Sequence, residues 1–421
     1  MGSLKLVINS KLKELMIFFS IMGPGLITAF ADNDAGGIAT YSVAGATLGY
    51  GILWVVIPIT LVLIFVQEMN ARMGVITGKG LSDLIRENYG VKITLFVMVA
   101  LFVANIATTI SNFAGIAAAA EIFGIQRIIA IPICAFVIWM IITKGNYKST
   151  EKIFFILAFF YITYIIAGFM AKPDWGLALS STLKPTLQFD KEYLLLLIGL
   201  IGTTVTPWMQ FYMQAAFVEK GIRAENYKYS KADVYISSVI TDIVTYFVIL
   251  TCAATLFVAG IRITTAKEAA LALAPLAGQY ASTLFAIGLF VASFFAAIIL
   301  PISTAFCICE GIGFEAGVNK NFKDAPQFYW ILTLIIGIAA FVSIMPRLPL
   351  IKVMLTSQVI SGIILPIILI IMLNLINKKE LMGEHVNSKF YNIIVWAAAI
   401  IIIILTLILV FVSVFGNILK I

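Results

Sequence analysis

Charge is scarce in this chain. Of its 421 residues only 12% are charged, about half the share usual in soluble proteins, and 62% are apolar. A water-soluble domain with that balance could not cover its surface, so a soluble enzyme and a disordered chain are excluded. Histidine is nearly absent: the single His385 lies in a polar loop, which leaves no material for a His-rich metal site or a Ser-His-Asp triad. The four cysteines, Cys134, Cys252, Cys307 and Cys309, all sit in apolar segments, where they read as packing residues rather than a disulfide framework. Cys307 and Cys309 are two apart and leave a helix on different sides, a weak metal motif. The apolar run after Lys13 ends in no small-residue cleavage site, so a removable leader is not expected.

Long apolar runs are plentiful. Stretches of about 20 apolar residues recur along the whole length, the signature of a polytopic all-α membrane protein. We read eleven spans, at about 17–48 (interrupted), 51–73, 93–119, 127–143, 151–171, 191–219 (interrupted), 231–259, 279–309, 328–345, 350–376 and 390–417. With the N-terminus inside, 19 of the 28 basic residues fall on the inner side. They include Lys11, Lys13, Arg72, Lys79, Arg86, Lys148, Lys152, Lys220, Lys378 and Lys379. The remaining nine, such as Lys172, Lys184, Arg262 and Arg347, fall outside. That bias predicts a cytoplasmic N-terminus and an outer C-terminus in the plasma membrane. It also accounts for the net charge of +7 without nucleic acid. The lipid bilayer is the expected partner, and no obligate protein partner is indicated. No loop is long enough for a second domain, so residues 1–421 form one transmembrane unit.

Two spans are broken. The first carries Gly23-Pro24-Gly25, then Asp32-Asn33-Asp34-Ala35-Gly36-Gly37. A helix in lipid cannot open its backbone without partners for the freed groups. Two carboxylates beside a glycine pair therefore predict an unwound stretch facing protein or water, and a carboxylate at that depth is a functional candidate. The plainer reading, a loop joining two short spans, fails because neither half is long enough to cross. The second interruption is Gly202-Thr203-Thr204-Val205-Thr206-Pro207-Trp208. Alone, this reads equally well as an ordinary proline kink. Together, breaks in spans one and six point to an inverted-repeat transporter with its site at mid-membrane. The repeats are then about 17–171 and 191–376, with an extra helix at about 390–417.

The order of motifs resembles the NRAMP divalent-metal transporters. Gly23-Pro24-Gly25 with Asp34-Ala35-Gly36-Gly37 is similar to that family's first helix, whose motif is Asp-Pro-Gly-Asn. Thr206-Pro207-Trp208 falls where the family has Met-Pro-His. Ser357-Gln358-Val359 with Leu365-Pro366 resembles its tenth helix, Glu310-Gly311 the end of its eighth, and Leu381-Met382-Gly383 with Val386-Asn387 its last inner loop. The resemblance implies a LeuT-like fold with broken helices 1 and 6, no enzymatic activity and no cofactor, the metal being cargo. It also implies a metal site at Asp34, Gly37, Thr203, Thr206 and Gln358. Asp34 takes the place of the metal-binding aspartate, Gly37 that of an asparagine ligand, Thr203 that of a carbonyl ligand and Thr206 that of a methionine. Gln358 approaches as the transporter closes, although a lone glutamine in a membrane helix is equally well interhelical glue.

The departures share one direction. A soft thioether is lost, and carboxylate, carbonyl, hydroxyl and water suit Mg²⁺ and Mn²⁺. Fewer protein ligands leave room for the waters that Mg²⁺ retains. The chain is most similar to the NRAMP-related magnesium transporters, so Mg²⁺ is the expected cargo and Mn²⁺ a second one. Span three reads Thr108-Thr109-Ile110-Ser111-Asn112 and span nine carries no charge. The family's acidic residues and arginine are thus missing where proton transfer would need them, and uncoupled transport by alternating access is expected. Asp32, two residues before Asp34, points elsewhere on a helix and reads as vestibule lining. Glu68 and Arg72 read as an ion pair at the membrane edge, Trp208 as a volume filler, and Glu310 as lining the inner exit or as a capping group. The alternatives are a proton-coupled Mn²⁺/Fe²⁺ carrier of the ordinary family type and a sodium-coupled amino-acid carrier, whose substrate carboxylate Asp34 would repel. An intramembrane protease using Asp32 or Asp34 with Asp242 has no supporting motif.

Overall fold

The computed structural model describes residues 23–144, 161–274, 278–318 and 320–419, with the side chains of 414–419 left aside. Residues 17–22 of the first expected span, residues 151–160 of the fifth, and Lys11, Lys13, Lys148 and Lys152 lie outside the described residues. Every regular element described is helical, as the uniform apolar runs require. The α-helices of five or more residues, in chain order, are α1 (Pro24–Asp32), α2 (Ala35–Leu48), α3 (Val56–Thr77), α4 (Leu81–Ile122), α5 (Arg127–Lys144), α6 (Ile162–Met170) and α7 (Trp175–Leu183). There follow α8 (Lys191–Thr204), α9 (Pro207–Glu219), α10 (Tyr227–Cys252), α11 (Ala266–Ala270), α12 (Ala281–Ile312), α13 (Pro326–Ile344), α14 (Leu350–Ile376) and α15 (Lys389–Leu419). A 3-10 segment, Gly49–Val55, joins α2 to α3. By length and apolarity, nine stretches of the described residues can cross a membrane.

The interior is set by α2, α8, α9, α10 and α14. The stretch from Lys191 to Glu219 is almost wholly buried, whereas α5 and α15 are mostly exposed at the periphery. Buried helices in lipid approach through small residues. Gly202 of α8 faces the Gln358 carbonyl and Gly362 of α14, and a Cβ on Gly362 would lie 2.5 Å from the Ile198 carbonyl. Gly45 of α2 is equally tight against the Ile249 carbonyl of α10. These contacts bring α2, α8, α10 and α14 together around the two places where helices end inside the protein.

The glycine pair does something other than expected. Gly36 and Gly37 are helical, in the first turn of α2, and the non-helical residues are Asn33 and Asp34. Asp34 caps α2 by accepting the Gly37 amide at 2.7 Å. A carboxylate at an N-cap satisfies an orphan N–H and meets the positive end of the helix dipole, so the helix can restart at once. The glycines serve close approach instead. A Cβ on Gly36 would overlap the Gln358 amide, and one on Gly37 would lie 2.9 Å from the Asp32 carbonyl and 3.0 Å from Thr203 Oγ1. Pro207 likewise does not kink a continuous helix. It occupies the first turn of α9 after an extended Thr206, where its missing N–H is no loss.

Candidate metal-binding site

The residues around Asp34 arrive from four elements. Asp34 is 3% exposed. Asn112, on α4, donates from Nδ2 to Asp34 Oδ2 at 2.8 Å and accepts the Ala35 amide on Oδ1 at 3.2 Å. Gln358, on α14, brings Nε2 to 3.4 Å from Asp34 Oδ1. Tyr161, at the head of α6, donates to the carbonyls of Phe30 at 3.0 Å and Asn33 at 3.1 Å, closing the end of α1.

Several oxygen atoms in this region are buried without a hydrogen-bond partner. They are the hydroxyls of Ser111 and Thr203 and Gln358 Oε1. Buried polar groups are ordinarily satisfied, so a cluster of orphaned acceptors near a carboxylate is a place where a cation would be welcome. All are hard oxygen donors, and none is sulfur. Among the described residues no three His, Cys, Asp or Glu side chains are arranged to hold a metal ion together, so an ion at Asp34 would rest on one carboxylate and neutral oxygens.

Of the expected ligands, the structure brings Gln358 to Asp34, and Thr203 to the backbone of Gly37. Thr206 stands at the start of α9 with its hydroxyl unpartnered and no bond to Asp34. Gly37 contributes its amide to Asp34 rather than any side chain. Asn112 was missed as a partner of Asp34. The polar interruption of span three was visible in the sequence, but a period of 3.6 residues does not say which helix it faces. Tyr161 gave no signal, because a tyrosine in an apolar run looks like core.

The flanking acids have other partners. Glu68 and Arg72 form the expected pair at 3.0 Å. Arg72 also donates to the His385 and Val386 carbonyls and to Asn387 Oδ1, fastening the loop at residues 385–387 to α3. Glu121 pairs with Arg127. The Glu310 carboxylate lies against Gly80, near Asp83 and Arg86, and the residue is half-buried. Asp233 of α10 accepts the amides of Gly25 at 2.8 Å and Gly23 at 3.3 Å, which explains the glycines flanking Pro24: a Cβ on Gly25 would lie 2.8 Å from the carboxylate.

The profile of the Natural resistance-associated macrophage protein-like family, Nramp, matches residues 25–412. The chain belongs to the Nramp family. It is 29% identical over 391 residues to the divalent metal cation transporter MntH of Yersinia pestis strain Pestoides F, covering 90% of this chain and 91% of that one, and equally so to MntH of Yersinia pseudotuberculosis. In structure it is similar to the manganese transporter of Eremococcus coleocola, with a TM-score of 0.76, 20% identity, and coverage of 95% of this chain and 88% of that one. It is also similar to Mhp1, a nucleobase-cation-symport-1 family transporter, with a TM-score of 0.58, 11% identity and 91% coverage of each. These two likenesses concern the fold, which is that of LeuT-like transporters. As an Nramp protein the chain is a membrane-spanning transporter and not an enzyme, and it needs no cofactor.

Proposed function

We propose that this Nramp chain carries a hard divalent cation across the membrane by alternating access, with Mg²⁺ as principal cargo and Mn²⁺ as a second one. The observation that carries this reading is the donor set. Gln358 reaches Asp34 and Thr203 stands beside Gly37, the oxygens of Thr203, Thr206 and Gln358 are buried and unsatisfied, Trp208 follows Pro207, and the set has no thioether or imidazole. Oxygen donors suit Mg²⁺ and Mn²⁺, and a sparse set leaves room for retained water. Asp34 supplies the charge, Thr203 a carbonyl, Thr206 a hydroxyl or a water contact, and Gln358 an oxygen after its amide turns. The Gly37 position adds space rather than a ligand.

The architecture assigned here has eleven crossings. The 43-residue stretch Ala35–Thr77 is about twice what one crossing needs and counts as two, whereas the 42-residue Leu81–Ile122 breaks at Gly90 after the charged Asp83, Arg86 and Glu87 and counts as one. Counting α6 as the end of the fifth crossing then gives eleven. The helix ends at Asp32 and Thr204 occupy corresponding places in the two five-span halves, which supports inverted repeats broken at the first and sixth helices. The N-terminus is assigned to the cytoplasm and the C-terminus to the outside of the plasma membrane.

Transport is read as uncoupled from protons. The stretch of α4 beside Asp34 offers Thr108, Thr109, Ser111 and Asn112, and α13 carries no charge. The inside-negative potential alone supplies about 4.6 kcal/mol per divalent ion at 100 mV. The names of the MntH relatives and of the Eremococcus coleocola protein favour a second reading, a proton-coupled Mn²⁺/Fe²⁺ carrier. Proteoliposome uptake decides. On our reading, wild-type protein takes up Mg²⁺ and Mn²⁺ without acidifying the lumen, and Asp34→Ala abolishes both. Uptake of Mn²⁺ and Fe²⁺ with acidification, and none of Mg²⁺, would establish the second reading.

A further inference from the structure

Two helices end with their C-termini in the same buried region. α1 stops at Asp32 and α8 at Thr204. Between them, Tyr41 of α2 sets its hydroxyl 3.3 Å from Thr204 Oγ1. Opposite stands α10, whose Thr241 donates to the Ala29 carbonyl at 3.0 Å and whose Thr245 reaches Asn33 Oδ1 at 3.5 Å. Asp242 lies on that same turn. It lines a small cavity together with Thr204 and Thr245, of about 10 Å³, room for one water-sized sphere.

The charges in this region do not balance. Asp32 is 2% and Asp242 3% exposed, and their four carboxylate oxygens are left unsatisfied, with the Thr60 hydroxyl as the one polar side chain acting on Asp242. The charged groups acting on Asp32 are Asp242 and Asp34, and both Asp32 and Asp242 act on Tyr41. Among the described residues no lysine or arginine acts on Asp32 or Asp242. A helix C-terminus adds about half a negative charge, and two of them end here. Buried carboxylates without a partner are strongly disfavoured. A cation removes that cost, and half-helix C-terminal ends are a setting in which small cations are held.

We propose that Asp242, with the hydroxyls of Thr204 and Thr245, forms a second cation site separate from Asp34, that Asp32 supplies its second negative charge, and that it takes a monovalent ion of the sodium class. The polar groups that face the cavity, beside the aliphatic Val55, Val56, Ile59, Leu200 and Ile249, are the oxygens of Thr204, Asp242 and Thr245, and oxygen donors select a hard cation. The choice of one charge over two rests on the reading of Asp34 as the divalent site. Asp32, Asp34 and Asp242 together carry three negative charges, which one divalent and one monovalent ion neutralise.

The test is binding of radioactive ²²Na⁺ to the purified full-length protein in detergent, in choline buffer. Wild type is expected to bind it saturably, close to one ion per chain. Asp242→Asn should weaken that binding by about tenfold or more while Mn²⁺ binding, measured by calorimetry, changes little. Asp34→Ala should keep ²²Na⁺ binding. Asparagine replaces an unpartnered buried charge with a neutral isostere, so this variant should melt no lower than wild type in choline. Should it fail to fold, Thr245→Val serves instead and should weaken ²²Na⁺ binding. Absence of saturable binding in wild type overturns the proposal, and so does wild-type binding in the folded variants. Loss of binding in Asp34→Ala also overturns it, because the ion then belongs to the divalent site. Failure of wild type to move Mg²⁺ or Mn²⁺, with ²²Na⁺ binding intact, overturns only the cargo reading.

Discussion

Asn112 grips the chain at Asp34 with both ends of its amide. Nδ2 donates to the carboxylate at 2.8 Å, while Oδ1 takes the Ala35 amide at 3.2 Å. One side chain on α4 thereby fixes both the orientation of the charge and the backbone that restarts α2. Asn112→Ala is expected to weaken Mn²⁺ binding by about 10–100-fold, the usual cost of losing a group that orients a ligand. Calorimetry on the purified protein checks this, and unchanged affinity would show that α2 orients Asp34 unaided.

Gly36→Ala tests the approach of α14. Its added methyl would meet the Gln358 amide and lie 2.9 Å from Ser111 Oγ. Gln358 can swing away, so the expected outcome is a folded protein with impaired uptake. A melting temperature near that of wild type, with Mn²⁺ uptake reduced at least severalfold, is the predicted pair of results.

The Asp233 carboxylate ties α10 to the start of α1. Hydrogen bonds to a charged acceptor contribute about 1.5–3 kcal/mol each, and two amides bond here. Asp233→Ala should therefore lower the melting temperature by several degrees in detergent. Gly25→Ala should do the same by a different route, since its methyl would press on the carboxylate.

Arg72 holds the loop at residues 385–387 through two backbone carbonyls and Asn387, and pairs with Glu68 of its own helix. Arg72→Ala leaves Glu68, 1% exposed, without its paired cation and with Lys231 alone still acting on it, at a cost of up to about 3–5 kcal/mol. Adding Glu68→Gln should recover part of that loss. Chemical denaturation of the three variants measures both terms.

Outside the membrane, the Thr265–Glu268 capping box opens α11. Slight burial raises the Glu268 pKa, but the amide and hydroxyl groups of Thr264 and Thr265 lower it more, leaving it below the ordinary glutamate value of 4.5. A depressed carboxylate contributes stability above its unfolded pKa and loses it as pH falls through the folded one. Amide exchange at residues 266–269, corrected for intrinsic rates, should therefore be slower at pH 7 than at pH 3. Glu268→Gln should remove most of that difference.

Much of the molecule follows from sequence alone, because lipid permits few solutions. Apolar run lengths require membrane-crossing helices, and the scarcity of charge leaves each buried carboxylate conspicuous. Asp34 could be singled out before any coordinates, as could the helix interruptions around it and before Pro207, and the motif order carried the family resemblance. Tertiary structure decided which helices those features meet. Residues 78 positions apart, Asp34 and Asn112, are joined by a hydrogen bond, and Asp32 shares its surroundings with Asp242 of α10 and not with its neighbour Asp34 alone. Helical periodicity orients a side chain about its own axis but is silent on which helix packs there. For the same reason Gly36 and Gly37 looked like backbone looseners in the sequence. Only the packing of α14 and α8 against α2 reveals them as the clearance that lets Gln358 and Thr203 come close.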